Sequence, residues 1–172
     1  MNKIKQNKIA FTLILSSIFI VFSSLTILSL PVLFNYKSKV TNIEKNFYKS
    51  FKIYLNSYGK ILYKPFPKPH LVVENASLNL NKNNDNDKNN LINTSDLKIF
   101  ISLRDIYLRS FDNILATEIS NSNIDIQFSD IKNIRKHLYQ NINNQIIFKD
   151  CKTFLRNKAK EVILISPIKK VS

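Results

Sequence analysis

From Ile9 to Phe34 (IAFTLILSSIFIVFSSLTILSLPVLF) the chain carries no charged residue, directly after a short tail bearing Lys3, Lys5 and Lys8. As a helix, Ile9 to Leu30 would reach about 33 Å, against a bilayer hydrocarbon core of about 30 Å. Pro31 falls near the far end of that span, where a break in the helix is tolerated. A cleaved secretory signal shares the basic start, but its apolar region runs about 7–15 residues and ends in small residues of the A-x-A kind. Here the run is longer, and no alanine lies between Ala10 and Ala76. The run reads as an uncleaved anchor. Its orientation does not follow from charge, because Lys37, Lys39, Lys45, Lys49 and Lys52 crowd the far flank as well.

The remaining chain is long enough for one small domain with its own core. A net charge of +14 invites a nucleic-acid partner, since lysine and arginine neutralise phosphates. The composition argues otherwise. Lysine, asparagine and isoleucine dominate while glycine occurs once, the pattern of A/T-rich codons. The basic residues Lys60, Lys98, Arg109, Lys132, Arg135, Lys152, Arg156 and Lys169 are scattered, with no arginine cluster or glycine-aromatic interleaving. No nucleic acid is expected. Anionic lipid head groups suit the juxtamembrane lysines better.

Val40, Ile43, Phe47 and Phe51 recur at helical spacing, so residues 35–54 read as a helix, with Thr41 and Glu44 at capping-box distance. Around Asn56–Gly59 the only glycine predicts a hairpin turn. Pro65, Pro67 and Pro69 then hold an extended segment unfit for a central strand. Strands follow. Ala76, Leu78 and Leu80 alternate with Ser77, Asn79 and Asn81. Leu97, Ile99, Ile101 and Leu103 alternate with polar positions and Phe100, and Ile124, Ile126 and Phe128 with Asp125 and Gln127. Period two with one wet face implies antiparallel pairing. Between the first two lies a polar loop, Asn81 to Asn90, that has nothing to bury. Arg104 to Phe111 reads as a short helical connection, Ile114 to Ile119 as strand, and Asp130 as the cap of a helix burying Ile131, Ile134, Leu138 and Ile142. Gln145–Phe148 and Val162–Ile165 read as the last strands. The final one would be an exposed apolar edge unless more chain, a second copy or a protein partner pairs with it.

The expected fold class is therefore α+β: an N-terminal transmembrane helix, then a mainly antiparallel sheet, groove-like or curved, with two or three short helices. Residues 1–8 form a basic tail, 9–34 the anchor, 35–53 a juxtamembrane helix and 54–172 the β-rich domain.

No motif of catalysis is present. His70 and His137 lack further ligands at metal spacing, and one glycine excludes a phosphate-cradling loop. The single cysteine, Cys151, forms no intrachain disulfide and reads as a small apolar strand filler. The chain is expected not to be an enzyme and to carry no cofactor or metal.

The order of features resembles the N-terminal region of the AsmA family, bacterial inner-membrane proteins similar to the bridge-like lipid transfer proteins. The likeness rests on the anchor, on Tyr58-Gly59-Lys60-Ile61, and on Pro67-Lys68-Pro69-His70-Leu71-Val72-Val73-Glu74-Asn75-Ala76-Ser77-Leu78. It continues through Ile99 to Ile106, and through Glu118-Ile119 to Ile124-Asp125-Ile126-Gln127. The resemblance implies a single-pass inner-membrane anchor, a periplasmic domain and an elongated apolar β-groove. It also implies a part in phospholipid movement between membranes and in outer-membrane assembly. Members are usually several times longer, so this chain would hold the membrane-proximal start of a groove. On that reading Leu78, Leu80, Leu97, Ile99, Ile101, Leu103, Ile124, Ile126 and Phe128 are the lipid-groove candidates. The alternative is a structural subunit of an envelope complex, pairing edge to edge with a partner's strands.

Overall fold

The computed structural model describes residues 2–57, 59–80, 92–132, 134–135 and 144–171. Two compact units divide the chain, 1–34 and 35–172. In the first, helix α1 (Asn2–Ser29) runs into a 3-10 turn, Leu30–Leu33, with Pro31 in its first positions, where a missing N–H costs nothing. The segment Phe11–Leu33 is long and apolar enough to cross a membrane. Four of its hydroxyls are satisfied inside the helix. Ser16 and Ser17 donate to the Leu13 carbonyl, Ser24 to Ile20 and Thr26 to Phe22, at 2.8–2.9 Å. Such bonding removes much of the cost of a polar group in hydrocarbon.

The second unit opens with a 3-10 turn, Lys37–Lys39, and helix α2 (Val40–Phe51). This helix is shorter than its apolar spacing predicts. Lys39 occupies the cap position without a side-chain bond, so Thr41 lies inside the helix and does not cap it. Ile43, Phe47 and Phe51 are buried as expected. After the strand Ile92–Ile101, helix α3 (Leu103–Leu108) begins at Ser102, whose Oγ accepts from the Asp105 N–H at 3.1 Å. It buries Ile106, and Phe111 follows it into the core.

Eight strands form one sheet: β1 (Tyr54–Ser57), β2 (Ile61–Lys64), β3 (His70–Asn79), β4 (Ile92–Ile101), β5 (Ile114–Ser120), β6 (Asn123–Gln127), β7 (Gln145–Arg156) and β8 (Val162–Val171). The α+β expectation holds, and most pairings are antiparallel. However, β7 runs parallel to both β5 and β6. A parallel return needs a crossover connection, here residues 128–144, so this pair is not a hairpin.

Register merges the short strands into longer ones. Both β1 and β2 pair with β3, and both β5 and β6 pair with β4 and with β7. The hairpin expected at Asn56–Gly59 is therefore a bulge in one interrupted strand, because Ser57 faces Ala76 while Ile61 faces Val73. Gly59 does not have a positive φ. A Cβ there would collide with the Glu74 carbonyl, so close backbone approach is what requires glycine.

The interruptions line up as a transverse crease. Asn75 (φ 50°) stands opposite Ser95, Ser95 opposite Asn121 (φ 51°), Asn121 opposite Asp150 (φ 51°) and Asp150 opposite Lys169. At this line the inward alternation slips by one residue in β3, in β4, between β5 and β6, and in β7. Buried positions step from Val73 to Ala76, Leu97 to Thr94, Ile119 to Ser122, and in β7 from half-buried Phe148 to buried Cys151. Two outward residues separate each pair, and a left-handed Asn or Asp absorbs the turn in three strands. One apolar face is thereby kept on the same side along the whole sheet.

Other expectations are corrected. Ser77 and Asn79, read as a wet face, are 2% and 3% exposed, in a strand with β1 along one edge and β4 along the other. Ile131 is 40% exposed and Ile134 half-buried, so this stretch does not begin as a buried stripe; Leu138, Ile142 and His137 lie outside the described residues, as does Asn81–Asn90. The strands β7 and β8 extend well beyond Gln145–Phe148 and Val162–Ile165.

Candidate functional site

Rows of apolar side chains run straight across the sheet. One is Ile61–Val73–Leu97–Ile119–Phe148–Val171, and beside it stands Tyr63–Leu71–Ile99–Thr117–Ile146. Beyond the crease run Leu55–Leu78–Ile92–Ile124 and Ile126–Leu155–Leu164. Over β1 to β5 these rows are closed by Tyr36, α2, Ile106 and Phe111, all packed into the core. Tyr36 meets Phe111 edge-on with centroids 6.2 Å apart. Past β5 burial falls away along the first row among the described residues. The first row goes from 0% exposure at Val73 and Leu97 to half-buried at Phe148 and 56% at Val171.

Most sequence-derived groove residues fall on the closed part. Leu78, Leu97, Ile99, Ile101 and Ile124 are buried, and Leu80 and Leu103 half-buried. Ile126 is half-buried and Phe128 64% exposed; these two lie where the face opens. Periodicity missed the rest of that open strip: Phe148, Leu155, Leu164 and Val171. The signal available was the unpartnered Val162–Ile165 run, whose residues are all exposed.

The outer side is mixed, with two ion pairs beside apolar Leu62, Val72, Phe154 and Ile165. Lys98 pairs with Glu118 at 2.6 Å and Arg156 with Asp125 at 2.7 Å. Along the free edge, β8 presents backbone groups to solvent, but not uniformly. Lys152 donates its N–H to the Ser122 carbonyl at 2.9 Å, on the side away from β8. By the alternation of an antiparallel ladder, its partner Pro167 turns its own backbone outward, where it has no N–H to offer. Pro167 so divides the edge, and Val162–Ser166 is the longer stretch without a missing donor.

His70, Cys151 and Asp105 each sit in packed or hydrogen-bonded surroundings. His70 is 3% exposed, with Nδ1 2.7 Å from the Lys68 carbonyl and its ring against Phe100. Cys151 is 1% exposed, its thiol directed at the Ile119 and Lys149 carbonyls. The carboxylate of Asp105 accepts from the Ser102 and Ser110 hydroxyls, which fixes the turn after α3. Burial, and then Tyr63 nearby, push the Tyr36 hydroxyl well above its ordinary pKa. Tyr63 is raised by burial and by Tyr107. Among the described residues no cluster of three His, Cys, Asp or Glu side chains is placed to hold a metal.

Comparison with known proteins returns no matching family model, no curated relative and no solved structure of similar fold.

Proposed function

We propose that this chain is a membrane-anchored, non-catalytic lipid-binding module of AsmA-like type, held in the inner membrane with its sheet domain in the periplasm. Its part would be in phospholipid movement between membranes and outer-membrane assembly. The observation that carries the reading is the exposed end of otherwise buried apolar rows at Phe148–Val171 and Ile126–Leu155–Leu164. Acyl chains laid on that strip remain in apolar surroundings, which lowers a transfer barrier of about 0.8 kcal/mol per exposed CH₂. Lysine-rich composition and a membrane span supply the setting.

The test is a photoactivatable side chain placed at Leu164 or Leu155 of the full chain in native membranes. Cross-links to phospholipid acyl chains at these positions, and none from Lys98 on the outer face, are the expected result. Cross-links to lipid at equal yield from both faces would overturn it. Leu164→Asp should cut lipid capture with the domain still folded. Ile99→Asp is unsuitable as a probe, because Ile99 is 0% exposed and the change would unfold the core.

A second reading is favoured by the open edge stretch Val162–Ser166: a structural subunit joined to a partner's strand. In that case the Leu164 probe captures polypeptide and no lipid.

A further inference from the structure

The first helix of the sheet domain has two chemically distinct sides. Its inner side places Ile43, Phe47 and Phe51 in the core. Its outer side carries Thr41, Lys45, Tyr48 and Lys49, all exposed, with Lys52 following at the helix end. Lys37 precedes them in the exposed 3-10 turn. Between Asn35 and Tyr54 there are five lysines and one acid, Glu44, which is half-buried. Tyr48 is held in place by stacking on Tyr54, with centroids 4.3 Å apart, and the Lys52 ammonium lies 5.6 Å from its ring centre. An amphipathic helix needs a polar outer side, but it does not need one so nearly free of acids.

Position along the chain selects the partner. The apolar span ends at Leu33 and α2 begins at Val40. The six residues 34–39 extend to about 22 Å at most, so the basic side is confined to the neighbourhood of whatever surface the span leaves. A bilayer surface bearing anionic lipids attracts lysines within about a Debye length, and tyrosine favours the head-group level.

We propose that the outer side of α2 is a docking surface for anionic lipid head groups of the leaflet from which the chain emerges. Lys45, Lys49 and Lys52 take lipid phosphates while Tyr48 sits among the head groups. Docking fixes how the sheet domain meets the membrane. The inference rests on the membrane-anchor part of the reading above and is independent of the lipid strip.

The experiment uses the full chain in nanodiscs of phosphatidylcholine alone or with about a third phosphatidylglycerol, pulsed with an amine-reactive reagent and read lysine by lysine. Lys45 and Lys49 should react at least about three-fold more slowly in the anionic discs, with the difference shrinking in high salt. Lys169 and Lys170 on β8 serve as controls and should not change. Equal reactivity of Lys45 and Lys49 in the two discs, with the chain inserted in both, overturns the docking surface and leaves the anchor standing. Extraction of the chain from both discs by alkaline carbonate overturns the anchor and the docking surface together. Inorganic phosphate added to neutral discs should leave the labelling unchanged; equal protection by phosphate would mean an ion site and would overturn lipid docking.

Discussion

Asn121 stands directly opposite Asp150 in the parallel pairing of β5 and β6 with β7, and both residues hold left-handed backbone at φ 51°. Both strands turn at the same level, so the pairing breaks briefly and resumes in the same register beyond the crease. Asn121 donates its N–H to Lys149 and Lys152 donates to Ser122, at 3.1 and 2.9 Å, which closes the ladder on both sides of the crease. Asparagine and aspartate tolerate this conformation far better than a β-branched residue. Asn121→Val should therefore destabilise the domain by about 1–2 kcal/mol, and Asn121→Gly should stay within about 1 kcal/mol of the parent. Thermal unfolding of the full chain in detergent, followed by the β-sheet circular dichroism signal, checks both.

Gly59 is constrained differently. The Glu74 backbone occupies the space a Cβ would need, and the Glu74 N–H donates to the Lys60 carbonyl at 2.9 Å, so the two segments cannot separate without losing a bond. Gly59→Ala is expected to cost about 1–3 kcal/mol, the range for overpacking a closed contact. A favourable φ does not rescue it. The same unfolding measurement should rank Gly59→Ala among the more damaging single-methyl additions.

These two positions also mark how much the sequence disclosed. Alternation within each half-strand was legible, and so was the α2 stripe. The crease was legible in principle: Glu74-Asn75, Ser95-Asp96, Ser120-Asn121 and Lys149-Asp150 each place two polar residues between inward positions. Read strand by strand, such pairs resemble strand ends. Only their common register makes them a single line. The role of Gly59 depends on a neighbouring strand and leaves no local trace. The parallel return of β7 depends on a crossover, about which period-two alternation is silent. Nor does periodicity reveal which apolar rows are covered, and for that reason Leu97 and Ile99 looked as accessible as Ile126.

Tyr36 gives the domain an alkaline limit. Burial raises its pKa above the ordinary 10.0, so the folded state retains a proton that the unfolded chain gives up first. Stability from this group is complete below about pH 10 and is lost as the pH climbs from there toward the raised folded value. Near pH 11 the loss approaches about 1.4 kcal/mol. Tyr36→Phe removes the titrating group and should flatten the decline between about pH 9 and 11 by that amount, whatever its effect at neutral pH. Denaturant midpoints of parent and variant across this window provide the comparison. Tyr63, also raised by burial, contributes a slope of the same sign that remains in the variant.

Pro167 controls the other exposed feature, the edge of β8. The N-terminal half of this strand, Val162 to Ile165, is apolar on both sides, and its edge is open. Such an edge invites pairing with any extended chain, and proline facing outward interrupts the donors after Ser166. Replacing it with a residue that forms strands and has an N–H should lengthen the usable edge. One further ladder hydrogen bond contributes a net of about 0.5–1.5 kcal/mol, so Pro167→Thr should tighten self-association roughly two- to ten-fold. Sedimentation of the full chain in detergent at graded concentration measures the shift. An unchanged association constant would mean that the edge is already occupied, or that the row Ile126–Leu155–Leu164 rather than backbone pairing governs contact. In the first case the Leu164 probe captures polypeptide, and in the second it captures lipid.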